Sequence, residues 1–340
     1  MTNFSNADNI LNQTETLESS GISDYVYFMV LLVTNGIIAN ILSLLGITGS
    51  ILNIIILSHH KMQDTTNVVL LAISVCDLMY SLTQISFNLT YTSFLLSLYI
   101  YQWVITLHAI CLDYVNYLSF ILSIHLVTLV SIERMVAICF PFHVSRIFTV
   151  HRIQRVIISL LLFNIIFMSP WFVTYNIDYI NYNDITLPAL EFSAVYLHNY
   201  VILYNYTAVI LFLLIAVFPF CIILLCTCLT LFNISLSSKR KSMMSTLEAI
   251  AKRQKEMKSV KMVLVICVFV LFLVVIPWGL QQIFLILISI PIKLSNIIVW
   301  IVNILVQINS SFNFVIYVTG SPKFKKTFIQ LLFKQKGTKH

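Results

Sequence analysis

Charged side chains are scarce in this chain of 340 residues. They make up 10% of the sequence, against roughly 25% in soluble globular domains, whereas apolar residues make up 59%. So few charges cannot cover the surface of a soluble protein, which excludes soluble enzymes, nucleic-acid-binding proteins and secreted disulfide-linked domains. The chain also lacks a glycine-rich phosphate loop, and its seven cysteines have no metal-ligand spacing.

Asp, Glu, Lys and Arg are absent from six long stretches, and a seventh, residues 65–112, contains only Asp77. The six stretches are residues 25–60, 114–132, 156–177, 192–238, 262–292 and 294–322. About 20 apolar residues cross a bilayer as a helix, and lipid offers the backbone no other hydrogen-bond partners. The sequence therefore predicts an all-α membrane protein, a seven-transmembrane helix bundle. We expect the helices near residues 32–58, 66–91, 104–139, 152–173, 198–234, 255–290 and 296–318, with an outer loop around Trp103.

Nineteen of the twenty Lys and Arg residues fall into four clusters. The clusters are Lys61, Arg134 to Arg155, Lys239 to Lys261 and Lys323 to Lys339. Positive residues are retained in the cytosol, so these clusters predict cytosolic loops and a cytosolic tail, with the N-terminus outside the cell. The predicted regions are an extracellular tail (residues 1–31), a membrane domain (residues 32–320) and a cytosolic segment (residues 321–340).

Both ends of the chain have patterns of their own. Asn3 and Asn12 begin Asn-X-Ser/Thr sequons on the outer tail, where glycosylation is expected. In the last segment, Phe324, Phe328 and Leu331 recur at helical spacing among lysines. This spacing predicts a short amphipathic C-terminal helix on the inner leaflet, in contact with membrane lipid.

Asp77 is the only charged residue near the middle of a predicted span. One interpretation is a protonated, hydrogen-bonded core aspartate, and the other is a cation or proton site. A cation site needs further oxygen ligands, which Ser123, Asn309, Ser310 and Asn313 could supply. Oxygen ligands alone suit a hard cation such as sodium. Position in the sequence leaves both interpretations open.

Two motifs point to a family. Residues 131–141 read S-I-E-R-M-V-A-I-C-F-P and residues 313–317 read N-F-V-I-Y. They resemble the D-R-Y region and the N-P-x-x-Y motif of rhodopsin-like G-protein-coupled receptors. Further family marks fall in the expected spans, namely Gly49, Asn53, Asp77, Pro219 and Pro277.

The resemblance implies a plasma-membrane receptor, not an enzyme, whose partners are an extracellular ligand and a heterotrimeric G protein. Glu133 and Arg134 would form the coupling switch, with Tyr317 packing inward on activation. Pro219, Pro277 and Asn313 would belong to the same switch. Asp77, Ser123, Asn309 and Asn313 would hold an allosteric sodium ion that favours the resting state, and no other cofactor is implied.

The chain also departs from the family pattern. Phe314 stands at the proline of the span-seven motif, and Val275 stands where a toggle tryptophan is usual. Residues 174–197 contain no cysteine to pair with Cys111, so the usual extracellular disulfide is expected to be absent or replaced. Met257, adjacent to Glu256, occupies the position from which an acidic residue would lock Arg134.

The residues expected around a ligand are polar and aromatic. The candidates are Asp113, Asn116, Gln281, Gln282, Trp300 and Gln307. Gln307 stands at the family's retinal-lysine position, which disfavours a light receptor. Asp178, Asp184 and Glu191 make the outer loop acidic and would attract basic ligands, which favours a neuropeptide-like or other small extracellular ligand.

Alternatives to these interpretations remain. Asp113 could instead be a solvated carboxylate at a helix end. A secondary transporter would show repeats and broken spans, which this sequence lacks. A non-signalling or chemosensory seven-span membrane protein stays open, because several switch residues are missing.

Overall fold

The computed structural model describes residues 23–59, 64–96, 98–182, 185–206, 209, 212–239, 260–287 and 291–333. Among them are seven helices long and apolar enough to cross a membrane, which we number spans one to seven and which confirm the predicted bundle. They are Tyr25–His59, Thr65–Asn88, Asp113–Cys139, Val150–Val173, Leu213–Ile234, Val260–Phe284 and Lys293–Gly320. The predicted glycosylation sites Asn3 and Asn12, and also Glu256 and Met257, lie outside the described residues.

Most of the chain is α-helical, with short π-helical and 3₁₀ segments inserted. The α-helices are Asp24–Leu31, Ala39–His59, Thr65–Leu96, Leu98–Leu107, Asp113–Cys139, Pro141–Ile147, Val150–Phe167, Ala194–His198, Tyr200–Asn205, Phe218–Lys239, Ile276–Leu287, Ile292–Gly320 and Pro322–Phe333, together with residues 260–270. The π-helical segments are Leu32–Ile38, His108–Leu112, Leu213–Val217 and Leu271–Val275, and Ser169–Val173 is a 3₁₀ helix.

Two predicted boundaries differ from the structure. The first helix begins at Asp24 instead of near residue 32, and the outer loop predicted around Trp103 is wrong because Trp103 lies in the helix Leu98–Leu107. The reason is visible in the sequence. Residues 65–112 contain neither glycine nor proline, so nothing in the backbone stops the helices that flank this region.

The segment between spans four and five forms a β-hairpin that we did not predict. Strand β1, Tyr175–Tyr182, pairs antiparallel with β2, Ile185–Phe192. The sequence of β1, Y-N-I-D-Y-I-N-Y, largely alternates apolar with polar residues, which is typical of a strand. At the hairpin base, Ser193 donates from its backbone N–H to the Thr174 carbonyl (3.0 Å) and from its hydroxyl to the Val173 carbonyl.

Small residues let the spans approach closely. A Cβ atom added at Gly46 would lie 2.5 Å from the hydroxyl of Ser81, so any larger residue there would require Ser81 to shift where span one meets span two. Large apolar side chains of span one, such as Leu44 and Leu45, are exposed on the outside of the bundle, as expected for side chains that face lipid.

The last helix, Pro322–Phe333, is amphipathic as predicted. Phe324 is buried against the bundle, whereas Lys325 and Lys326 are exposed. We call this element the surface helix. We call the end of the bundle near Arg134 the Arg134 end, and the opposite end, near the β-hairpin, the hairpin end.

Candidate functional site

Spans two, three and seven converge on the carboxylate of Asp77, which is 4% exposed. Its Oδ1 accepts a hydrogen bond from the hydroxyl of Ser123 (3.2 Å), and its Oδ2 accepts one from Nδ2 of Asn313 (2.6 Å). The hydroxyl of Ser310 lies 3.5 Å from the backbone carbonyl of Asp77. The structure therefore brings together three of the four residues predicted to surround a cation.

A small cavity adjoins this carboxylate. Its lining residues are Asp77, Tyr80, Ser119, Phe120, Ser123, Ile124, Val270, Val274, Val306, Asn309 and Ser310. Asn309, the fourth predicted ligand, is buried, and its side-chain oxygen has no hydrogen-bond partner. One carboxylate, several hydroxyls and a free amide oxygen fit a hard monovalent cation, which needs oxygen ligands and charge compensation. We call this set the Asp77 cluster.

At the Arg134 end, Glu133 is anchored to the beginning of span two. Its carboxylate accepts hydrogen bonds from the hydroxyls of Thr65 and Thr66, the latter at 3.0 and 3.1 Å from its two oxygens. Nη2 of Arg134 lies 3.7 Å from the same carboxylate, and the guanidinium side chain is 18% exposed. Glu133 thus holds Arg134 beside span two, and sequence reasoning missed the role of both threonines.

The end of span seven packs against the surface helix through aromatic rings. Phe314, which stands at the family's proline position, contacts Phe324 and Phe328 with ring centroids 6.2 and 5.3 Å apart. Tyr317 is 1% exposed and contacts Phe324 at 5.8 Å. Without the proline, the helix Ile292–Gly320 runs uninterrupted through this motif.

Spans five and six each carry a proline two residues after the end of a π-helical segment. Pro219 follows Leu213–Val217, and Pro277 follows Leu271–Val275. A proline has no backbone N–H and its ring clashes with the preceding turn, so the helix widens locally to accommodate it. Both predicted switch prolines therefore lie at real distortions of their spans.

Spans six and seven lie in close contact at the Arg134 end. A Cβ atom added at Gly320 would be 2.6 Å from Cγ and 2.8 Å from Cβ of Met262. These atoms belong to the inner part of the methionine side chain, which has little freedom to move away. The glycine therefore permits span six to close against span seven.

At the hairpin end, Nδ1 of His108 lies 3.1 Å from Oδ1 of Asp113. His108 belongs to the π-helical segment His108–Leu112, and five-residue spacing matches the i to i+5 repeat of a π-helix. The ring of His108 also packs on Phe87 at 5.0 Å. Sequence reasoning missed His108, because its partner lies on the same face only in this unusual helical register.

The other predicted ligand residues fall into separate groups. Nδ2 of Asn116 donates to Oγ1 of Thr83 (2.8 Å), and Gln307 accepts from the hydroxyl of Ser43 (3.4 Å). Trp300 packs on Tyr27 with a ring distance of 5.3 Å. Gln281 is buried and its side-chain oxygen has no hydrogen-bond partner, whereas Gln282 is half-buried.

A chain of aromatic rings connects the top of span three to the hairpin. Tyr117 contacts Trp171 (5.4 Å), and Trp171 contacts Tyr175 of β1 (6.4 Å). Tyr175 stacks on Phe192 of β2 at 5.4 Å. Burial raises the pKa of Tyr175, and the nearby carboxylate of Asp113 raises it further. Asp113 therefore lies close enough to this row of aromatic rings to act on it electrostatically.

The predicted absence of the usual disulfide agrees with the structure, since all seven cysteines are free. Cys111 is exposed near the hairpin end. Hydrogen bonds at the hairpin base, rather than a disulfide, connect the hairpin to the end of span four.

The sequence matches the family described as 7 transmembrane receptor (rhodopsin family) over residues 50–317. The match covers more than half of the chain and includes the Asp77 cluster, the Glu133 and Arg134 pair and Tyr317. The chain belongs to the rhodopsin family of seven-transmembrane receptors. No individual curated protein matches the sequence.

Membership of this family gives the molecule a general function. The receptor is a multi-pass membrane protein of a signalling family, and members of this family are generally not enzymes. The family match does not depend on the proline of the span-seven motif, which this receptor replaces with Phe314.

Proposed function

We propose that this receptor lies in the plasma membrane with its N-terminus outside and transmits the binding of an extracellular ligand to heterotrimeric G proteins. The observation that carries this proposal is the Arg134 end. A guanidinium, held by an anchored carboxylate, lies at the end of the bundle whose connecting segments, together with the segment after span seven, hold most of the basic residues. Release of Arg134 when span six moves away would expose a charged docking point to the G protein.

The test is nucleotide exchange on purified G proteins by the receptor in detergent or nanodiscs. We expect Arg134→Ala to abolish exchange while ligand binding is largely retained. Arg152→Ala is the matched control, because Arg152 is exposed in the first turn of span four and bonds to the Arg146 carbonyl rather than to the switch. Equal exchange by Arg134→Ala and the parent, at matched receptor concentration, contradicts the proposed role.

We infer that the ligand carries a positive charge and binds at the hairpin end, as a basic peptide or another small cationic molecule would. Asp178 and Glu191 are exposed on the hairpin, and Asp113 is 27% exposed beside the aromatic chain. Carboxylates steer cations toward the site, and aromatic faces attract them at short range.

The ligand class is tested by screening neuropeptides in the exchange assay and comparing each active peptide at low and high salt. We expect a charge-reversing pair of substitutions, Asp178→Lys with Glu191→Lys, to slow association and to flatten its salt dependence. Asp113→Asn should raise the dissociation rate, since this carboxylate is partly buried. An active ligand without any cationic group contradicts the charge assignment.

We also propose that the Asp77 cluster binds a sodium ion. Asp77, Ser123 and Asn309 would hold it through oxygen atoms, and its charge would offset the cost of a buried carboxylate. The unpartnered oxygen of Asn309 supports this assignment.

A seven-span protein that does not signal is the second candidate. The uninterrupted helix Ile292–Gly320 favours it, because the distortion that the family proline introduces is missing. Absence of nucleotide exchange under any ligand, in a receptor that still binds one, would support this candidate.

A further inference from the structure

His125 of span three lies where spans three, four and five meet, and neither the signalling switch nor the Asp77 cluster uses it. Its Nε2 lies 3.3 Å from the backbone carbonyl oxygen of Leu214 in span five. Its Nδ1 lies 3.2 Å from Nδ2 of Asn164 in span four, a residue that is 3% exposed. One imidazole ring therefore links three spans.

The hydrogen bonds around His125 fix its tautomer. Nδ2 of Asn164 also lies 2.8 Å from the backbone carbonyl oxygen of Leu160. A carbonyl oxygen can only accept a hydrogen bond, so the amide atom that faces Leu160 and His125 must be the nitrogen and not the oxygen of Asn164. The second N–H of this amide then faces Nδ1 of His125, which must be the unprotonated, accepting nitrogen. The proton of the neutral ring is therefore on Nε2, which donates to Leu214.

The carbonyl of Leu214 needs this donor because of Pro219. In the π-helical segment Leu213–Val217, the backbone N–H of Phe218 bonds to the carbonyl of Leu213, five residues earlier. The next bond in this series would join residue 219 to Leu214, but proline has no N–H to donate. A carbonyl without a partner is costly within a membrane, so the side chain of His125 takes the place of the missing backbone donor.

Span six has the same distortion without this compensation. The N–H of Ile276 bonds to the carbonyl of Leu271, so the carbonyl of Phe272 faces the missing N–H of Pro277. Among the residues that the structure describes, no side chain donates to Phe272. The two proline distortions thus differ within the described residues, since the carbonyl of Leu214 has a side-chain donor and the carbonyl of Phe272 has none.

We propose that His125 is a positioning residue that fixes the proline distortion of span five to spans three and four by supplying the hydrogen-bond donor that Pro219 lacks. Its neighbour Ser123 bonds to Asp77, and Ile124 lines the cavity. Consecutive residues of span three therefore hold both the Asp77 cluster and the distorted segment of span five.

A double-mutant cycle tests this role through thermal unfolding of the purified receptor. Removing the donor with His125→Leu should lower the Tm by about 2 to 4 °C, the shift expected from one lost hydrogen bond in a protein of this size. His125→Gln keeps an N–H donor and an accepting oxygen at similar positions, and should lose less than half as much. His151→Leu, at an exposed histidine, is the matched control and should leave the Tm unchanged.

The decisive measurement uses Pro219→Ala, which restores a backbone N–H at residue 219. In this background, His125→Leu should cost less than half of its effect in the parent, because the carbonyl of Leu214 has regained a backbone donor. Equal losses in both backgrounds, or equal losses for Gln and Leu, overturn the proposal, since a histidine that only fills space would behave in this way.

A spectroscopic measurement remains available if His125→Leu does not fold. Nitrogen-15 NMR of the histidine-labelled parent receptor should show a neutral ring with its proton on Nε2, assigned by loss of the signal in His125→Gln. A proton on Nδ1, or a doubly protonated ring, overturns the proposal. Neither test depends on a ligand or a G protein, so failure of the proposed signalling function leaves this result independent.

Discussion

The pair of Glu133 and Arg134 gives a direct prediction about ligand-independent activity. Glu133→Gln removes the negative charge while it keeps the shape of the side chain and one oxygen that can accept from Thr65 or Thr66. We expect Arg134 to be released more often, and therefore basal nucleotide exchange on purified G proteins to rise.

The magnitude follows from the contact. Charges 3.7 Å apart attract by about 4 kcal/mol at an effective dielectric constant near 20. Part of this attraction is offset, because Arg134 is 18% exposed and water solvates it once it is released. A net loss of about 1 to 2 kcal/mol from the resting state is expected, which corresponds to a rise of roughly 5- to 30-fold in the active population.

Thr65→Val is the matched control, since it removes a hydrogen bond to Glu133 but leaves both charges in place. It should raise basal exchange by less than Glu133→Gln does. The charge-release reasoning is refuted if Glu133→Gln leaves basal exchange unchanged while ligand-stimulated exchange persists, or if Thr65→Val matches its effect.

Three further predictions concern other parts of the receptor. Raising sodium, with a large organic cation holding ionic strength constant, should weaken agonist affinity by about 5- to 150-fold, and Asp77→Asn should flatten this response; an equal response in both proteins in competition binding makes Asp77 a structural residue only. Gly320→Ala should separate spans six and seven against Met262 and raise basal exchange, since the added strain in the resting state is about 1 to 3 kcal/mol; Met262→Ala in the same background removes the contact with Cγ but keeps Cβ, and should reverse part of the rise. Glycosidase treatment of receptor from eukaryotic cells should increase its gel mobility and should have no effect on the Asn3→Gln/Asn12→Gln variant; an N-terminal epitope that antibody reaches only after permeabilisation contradicts the orientation.

The seven spans could be predicted because membrane insertion depends on composition over a long window. Stretches without charge identify a span whatever its exact contacts, and each predicted span corresponds to a helix in the structure. The ends of the helices could not be predicted in the same way. Around Trp103 the chain remains apolar and has no helix-stopping residue, so hydropathy gave no information about where the membrane part of the helix stops.

The candidate site likewise contains some residues that the sequence predicted and others that it did not. Ser123 and Asn313 were expected near Asp77 because family motifs place them there, and the structure shows both bonded to its carboxylate. Their role with sodium stays a prediction. His108 and His125 could not be found from the sequence, because each depends on a π-helical segment whose register a period of 3.6 residues does not describe.

The position of the distortions bears on how this receptor would change conformation. Spans five and six have proline distortions, whereas span seven is uninterrupted and Phe314 lies in the aromatic contact with Phe324 and Phe328. A Cβ atom at Gly49 would be 3.2 Å from Cβ of Phe314, so span one also restricts this position.

An inward shift of Tyr317 by local bending at residue 314 would therefore separate Phe314 from two rings at once. Tyr317 itself contacts Phe324, so the surface helix is attached to both residues of the motif. Separating these packed aromatic pairs costs about 0.5 to 1.5 kcal/mol each beyond the loss of buried area. Rotation of span seven and the surface helix as one unit keeps all three contacts. We therefore expect these two helices to move together in this receptor.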